Sequence, residues 1–169
     1  MNLNSEDLSK KYKVRRLKEG DTEEIVSLCS QNELYYRYCP PFVSKESILA
    51  DMKALPPNKD YPDKYYVGYF DGERLIAVLD LIMAFPNEKT AFIGFFMTDV
   101  SIQNNGIGSS LIGELTDHLR SIGVESIRLG WVDGNLQAMH FWHKNGFVET
   151  GVKYDTDDYT VVVAQKDIL

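Results

Sequence analysis

The sequence predicts an α+β fold, with a central mixed and mostly antiparallel sheet of about six to seven strands flanked by about four helices. Three observations predict it. Apolar runs of strand length between residues 65 and 100 are joined by short turns, in hairpin fashion. Amphipathic segments of helical period lie before that block and again after it. A strand-like run separates the last two helices, and the tail then alternates once more.

The elements follow in order. Residues 1–11 are polar and are expected to be loose, leaving 12–169 as one domain with enough apolar content for a sizeable core. Tyr12 to Leu17 forms a first strand. Gly20-Asp21 opens a helix, with Asp21 as N-cap, Glu24 at the capping-box position, and Ile25, Val26, Leu28 and Cys29 as the apolar face. Glu33 to Phe42 reads as a proline-bearing loop whose Tyr35, Tyr36, Tyr38 and Phe42 either line a pocket or pack over a core edge. Ser44, followed three residues later by Ser47, starts a second helix that Pro56-Pro57 stops. Strands at Tyr65 to Phe70 and Leu75 to Met83 flank the turn Asp71-Gly72-Glu73-Arg74. Phe85 to Glu88 turns into a strand at Ala91 to Val100. Ile107, Leu111, Ile112, Leu115 and Leu119 then share one helical face. A strand at Ser126 to Val132 leads to a helix that Asn135 caps and Gly146 ends. Phe147 to Lys153 and Tyr159 to Gln165 close the chain around a turn at Asp155 to Asp158.

The most specific stretch is Gln103-Asn104-Asn105-Gly106-Ile107-Gly108-Ser109-Ser110, where a strand meets a helix. Its glycines let the backbone turn tightly and approach a ligand closely. The first helical N–H groups have no intrahelical partner, and the helix dipole adds positive charge, so a pyrophosphate is the natural occupant. Spacing selects the cofactor. A dinucleotide fingerprint needs a glycine at 111, where Leu111 stands, and a P-loop needs Gly-Lys-Ser/Thr, whereas Gly113 precedes Glu114 and Leu115. Gln/Arg-x-x-Gly-x-Gly/Ala fits, through Gln103, Gly106 and Gly108. Downstream, the run Asn135-Leu136-Gln137-Ala138-Met139-His140-Phe141-Trp142 to Gly146-Phe147 is similar to Asn-x-x-Ala-x-x-aromatic-Tyr-x-x-x-Gly-Phe. In this order and at this separation the two motifs resemble those of the GNAT superfamily of N-acetyltransferases.

The resemblance implies acetyl-CoA or coenzyme A as cofactor, a pyrophosphate held by the backbone from Gln103 through Asn104, Asn105, Gly106, Ile107 and Gly108 to Ser109, and backbone contacts to pantetheine from Phe96, Met97 and Thr98. Ser109 and Ser110 either add hydroxyl donors or simply start the helix. Asn135 and Trp142 fall in the second motif and are expected near the cofactor, whose thioester the resemblance places between two parallel strands that splay apart and end near Thr98 and Trp131. The family's general-acid tyrosine stands here as Trp142, and an indole N–H donates but does not titrate usefully. An alkyl amine with a pKa of about 10.4 is neutral only about once in 2,500 at pH 7, a penalty of about 4.6 kcal/mol, so a base matters more than an acid. Candidates are Asp99, just beyond the cofactor strand, and Asp80, inside the apolar Leu79-Asp80-Leu81-Ile82. Each has a structural alternative: Asp80 as a solvent-facing or edge-paired strand residue, Asp99 as an acceptor of loop N–H groups.

Composition narrows the partners. A formal charge of −7 argues against nucleic acid or an anionic membrane and suits either solubility or a cationic acceptor. Cys29 and Cys39 form no metal pattern or disulfide framework, and His140 with His143 lacks a third ligand, so no metal is expected. With no signal peptide and no long apolar run, the chain is expected in the cytoplasm, acting on a small-molecule or peptide amine, with a homodimer through the tail strands left open. The competing reading keeps the CoA site as a binding module or sensor of weak catalytic power, and Trp142 gives it weight.

Overall fold

The computed structural model describes residues 3–169. Among them, seven strands form one sheet in the order β1-β2-β3-β4-β5-β7-β6. They are β1 (Lys13–Arg16), β2 (Lys64–Asp71), β3 (Arg74–Ile82), β4 (Thr90–Thr98), β5 (Ser126–Val132), β6 (Val148–Asp155) and β7 (Thr160–Asp167). In that sheet only β4 and β5 run parallel, so it is mixed and mostly antiparallel, as the sequence implies. Five α-helices among the described residues flank it: α1 (Thr22–Ser30), α2 (Glu33–Tyr38), α3 (Lys45–Lys53), α4 (Ile107–Ser121) and α5 (Leu136–Lys144). No helix among the described residues is long and apolar enough to cross a membrane.

Each sheet face carries its own core. On one face Val67, Leu79, Leu81 and Ile93 pack with Leu111, Ile112, Leu115 and Leu119 of α4 and with Trp142 of α5. On the other, Tyr66, Phe70, Val78 and Met97 pack with Ile25, Leu28 and Cys29 of α1 and Ile48 of α3. The alternation of strand side chains assigns neighbours in sequence to opposite cores, as with Leu79 and Val78.

Three local expectations are corrected. Of the segment expected to be loose, residues 1 and 2 lie outside the described residues and the rest is tied down at Leu3, Leu8 and Ser9, with Asn4, Glu6, Asp7, Lys10 and Lys11 exposed. Leu3 and Leu8 are buried, a 3-10 turn spans Ser5–Leu8, and Ser9 Oγ and the Lys10 N–H donate to Glu114 of α4 (2.6 and 3.1 Å). Burial of Leu8 is worth about 2 kcal/mol, enough to fix a short polar arm. Asp21 does not cap α1 with its side chain, because its carboxylate is taken by the Arg15 guanidinium (2.8 and 2.9 Å) and the Lys18 N–H. Glu24 accepts instead from the Leu75 N–H at 3.1 Å, tying α1 to β3. The proline-bearing loop contains the short helix α2, whose six residues are too few to show a period. Ser44 and Ser47 do form the reciprocal cap of α3.

Candidate active site

β4 and β5 pair only from Thr90↔Ser126 to Ile93↔Leu129. The next residues on each strand, Gly94 and Gly130, are exposed glycines, and from there the strands part, earlier than the Thr98 and Trp131 ends. Beyond Ile93 the edge of β4 that faced β5 has no strand partner among the described residues, while β3 continues to pair with Phe95, Phe96, Met97 and Thr98. A β-bulge between Asp80 and Leu81 sets Asp80 opposite Phe95 and Leu81 opposite Ile93, leaving Gly94 as the extra residue. A backbone edge without a strand partner is therefore presented in the gap, at the bulge, up to Thr98, whose carbonyl accepts from the Asn32 and Gln103 side chains.

At the end of β4 the chain turns through Val100–Ile102 and reaches α4. Gly106 sits at the N-cap with φ +82°, a left-handed conformation that glycine takes without a Cβ penalty, and the space a Cβ would enter is open. Gly108 makes a close approach: a Cβ there would lie 3.3 Å from the Phe141 ring, which would have to shift by a few tenths of an ångström. The loop thus leans directly on α5. Ile107 N–H meets Asn105 Oδ1 at 3.4 Å, and the first helical hydrogen bond runs from Ser110 N–H to the Gly106 carbonyl. The N–H groups of Gly108 and Ser109 find no acceptor among the described residues, and Asn104 and Asn105 stand beside them on the open side of the loop. Free donors, an open approach and the dipole of a 15-residue helix suit a pyrophosphate.

Two residues of this loop brace it instead. The Gln103 N–H is taken by the Val100 carbonyl, and the Gln103 side chain donates to Asn32 Oδ1 (2.7 Å) and to the Thr98 carbonyl (3.1 Å). Gln103 therefore anchors the loop to the end of α1, and the free donors begin after it. Ser109 Oγ accepts from Asn145 Nδ2 at 3.2 Å, which fastens α4 to the end of α5. Asn135 is buried and caps α5 by accepting the Ala138 N–H, so its side chain is committed to the helix.

Trp142 is 8% exposed and packs in the α4–α5 core, with ring centroids 4.9 Å from Phe141, 5.1 Å from Phe147 and 6.0 Å from Phe96. It shapes the wall behind the strand gap and supplies no titratable proton. Phe96 also faces this side, whereas Met97 is buried among α1 and α3.

The two candidate carboxylates differ sharply. Asp99 caps the turn after β4, accepting the Ser101 N–H at 2.9 Å, and pairs with Arg74 at 3.1 Å. Burial opposes its charge, but the Ser101 hydrogen bonds and Arg74 together hold its carboxyl below the usual aspartate range. It is a structural carboxylate and lies outside the cavity described next. Asp80 points to the α1–α3 side, where its Oδ2 meets Lys64 Nζ at 2.8 Å and its buried Oδ1 has no hydrogen-bond partner among the described residues. Lys64 is itself buried and also donates to the Ala54 carbonyl at 2.9 Å. Burial pushes the Asp80 carboxyl up, and Lys64 offsets only part of that. A Cβ at Gly94 would lie 2.9 Å from Asp80 Oδ2, so the carboxylate occupies the space that glycine leaves at the bulge.

Asp80 lines a cavity of about 510 Å³ between the sheet, α2 and α3, walled by Tyr35, Tyr36, Asp51, Phe95 and Tyr159. Tyr35 lies edge-on to Phe95, with centroids 5.8 Å apart. Burial, with Asp80 adding to it, pushes the Asp51 carboxyl up. Burial also pushes the Tyr35 and Tyr36 phenols up, so both stay protonated at neutral pH. A second cavity of about 300 Å³ shares Tyr35 with the first and reaches Val100, Gln103 and Gln137. Asp51, Tyr159 and Gly94 carry no sequence motif; the faint signal is Asp51 three residues after the buried Ile48, on the same helical face.

A sheet that parts beside a phosphate-ready helix N-terminus, with a carboxylate at the parting, defines a class of acyl-CoA-dependent transferases. The chain belongs to the acetyltransferase (GNAT) family, whose family model matches residues 30–147, and it is an acetyltransferase of that family. No curated protein matches it. Among solved structures it is similar to an acetyltransferase from Thermus thermophilus (TM-score 0.70, 14% identity, 93% of this chain and 97% of that one). It is also similar to the paiA N-acetyltransferase from Thermoplasma acidophilum, solved in complex with coenzyme A (0.66, 20%, 92% and 98%). A third similar structure is the spermidine N-acetyltransferase from Vibrio cholerae with CoA and spermine (0.67, 20%, 95% and 97%).

Proposed function

We propose that the protein transfers an acetyl group from acetyl-coenzyme A to a primary amine by direct attack, with Asp80 as the base. The observation that carries this is the place of Asp80: a buried, half-satisfied carboxylate beside Gly94, where β4 leaves β5, on the floor of a cavity large enough for a small acceptor. Similar structures solved with coenzyme A support the cofactor.

Coenzyme A supplies the acyl group as a thioester. The backbone from Asn104 to Ser109 holds the pyrophosphate, and the unpaired edge of β4 beyond Ile93 orients the pantetheine arm as an added strand would. Asp80 takes a proton from the acceptor's ammonium, so that the free amine forms the new C–N bond while the C–S bond breaks and its electron pair stays on sulfur. As the intermediate collapses the nitrogen gives its second proton to solvent and the thiolate takes one from solvent, so that with the proton passed to Asp80 one proton is released overall. Lys64 holds the Asp80 carboxylate ionised enough to accept a proton near neutral pH, while burial keeps it basic enough to be useful. Trp142 packs behind the site and Asp99 fixes the turn into the glycine loop.

A binding module of weak catalytic power is the second reading, favoured by the indole at the position where the family places an acid. Turnover of acetyl-CoA with amines separates the two. Transfer that disappears in Asp80→Asn while CoA affinity stays supports the enzyme reading; tight CoA binding without transfer to any amine supports the module.

A further inference from the structure

The cavity carries information about the acceptor beyond its being an amine. Its floor holds two carboxylates, Asp51 and Asp80, and the one ammonium nearby, Lys64, lies outside the cavity lining, bonded to Asp80. With all three ionised, two negative charges against one positive charge leave one uncompensated negative charge. Two polar groups without partners among the described residues lie behind that floor, out of contact with the cavity. Asp80 Oδ1 is buried and unbonded, and so is the hydroxyl of Tyr66, which feels the charge of both carboxylates. A single cation seated in the cavity would compensate the uncompensated charge of Asp51 and Asp80.

The rest of the wall carries no charge and, apart from Ser47 and Cys39, is apolar or aromatic. Tyr35 and Tyr36 come from α2, Phe95 from β4 and Tyr159 from the turn before β7, while Pro40 and Pro56 close the sides. No carboxylate other than Asp51 and Asp80 lines the cavity among the described residues. A second ammonium on the same acceptor would be desolvated against prolines and rings without a counter-charge, which is unfavourable. The faces of Tyr35 and Phe95, already set edge-to-face, accept an aromatic or branched apolar body instead.

Building on the transfer reading above, we infer that the acceptor is a monoamine carried on an aromatic or bulky apolar body, its ammonium seated between Asp80 and Asp51 and its body against Tyr35, Tyr36, Phe95 and Tyr159. Specificity then comes from a count of charges. One ammonium completes the floor, and a second one is penalised by the walls.

The test uses the full chain with acetyl-CoA and matched acceptors: 2-phenylethylamine, 1,4-diaminobutane and spermidine. Acetylated product is read by mass spectrometry. Binding of each amine to the CoA-loaded protein is read by calorimetry, independently of turnover. The inference expects 2-phenylethylamine to exceed both polyamines by at least about tenfold in kcat/KM and in affinity. It also expects Asp51→Asn to raise the KM for 2-phenylethylamine by about tenfold or more while leaving the CoA Kd unchanged. A polyamine that is acetylated as well or better overturns the inference and leaves acyl transfer standing. Preferential binding of 2-phenylethylamine without transfer supports the inference and overturns the transfer reading. No binding of 2-phenylethylamine to a folded, CoA-loaded protein overturns the inference whatever the turnover.

Discussion

Replacing Asp80 by asparagine removes the proposed base with almost no change of shape. The magnitude follows from the site. At pH 7 an alkyl ammonium must lose a proton at a cost of about 4.6 kcal/mol, and a positioned base contributes about 10²–10⁴ in rate, or roughly 3–5 kcal/mol. Asp80 is the carboxylate at the strand gap that has a free oxygen, so most of that contribution is expected to vanish with it. Losing the charge also leaves Lys64, 4% exposed, with the Ala54 carbonyl and a neutral amide. Breaking a buried pair from one side costs about 3–5 kcal/mol of stability. The double variant Lys64→Met/Asp80→Asn is therefore expected to regain stability without regaining rate. The assay is acetyl transfer measured from about pH 5 to pH 9, with the CoA Kd determined in parallel. Wild type should lose activity on the acid side at a pH above the ordinary aspartate range, because burial pushes Asp80 up and the protonated form cannot accept. In Asp80→Asn that limb should go, leaving a rate, lower by about 10²-fold or more, that climbs with the free-amine fraction. A loss of less than about threefold with the acid limb in place would refute the assignment.

Other substitutions probe the remaining parts. Gly106→Glu should lower CoA affinity more than tenfold by setting a negative charge in the phosphate approach; with φ at +82° and open space around it, the fold should lose only about 1–2 kcal/mol, read by thermal melting. Lys64→Met should move the acid limb upward, because Lys64 lowers the Asp80 pKa and its removal leaves burial unopposed; a downward shift would contradict the pairing. Trp142→Tyr should keep the rate within about threefold, whereas Trp142→Ala should cost about 3–5 kcal/mol of stability, since the indole is packed between Phe141, Phe147 and Phe96.

The parts of this site that are legible in sequence are the local ones. Gly106, Gly108 and Asn135 act within a few residues of themselves or at a fixed motif position, through a turn, a close approach and a cap, and so leave a regular spacing behind. The strands and the long helix declare themselves by period. Asp80 can be noticed as a charge within an apolar strand, but its role depends on Lys64, sixteen residues earlier, and on the bulge that places Gly94 beside it. Asp51, Phe95 and Tyr159 come together only because α3, β4 and the tail hairpin converge, and no short window contains two of them. Asp21 shows the opposite failure. Its local pattern reads as a helix cap, yet the bidentate pair with Arg15 is the stronger use of the carboxylate. The packing of the N-terminal arm leaves no periodic trace, because Leu3 and Leu8 are too few to show one and the arm's partner Glu114 lies more than a hundred residues away.

The account stands or falls on the cofactor, and calorimetric titration of the folded protein with acetyl-CoA, with NAD and ATP as controls, tests it most directly. The account predicts saturable one-to-one binding of acetyl-CoA, with neither control competing, and loss of that binding in Gly106→Glu. Absence of binding, or equal binding of ATP, would mean that the open N-terminus of α4 is only a turn and that the strand gap beside Asp80 serves some other purpose.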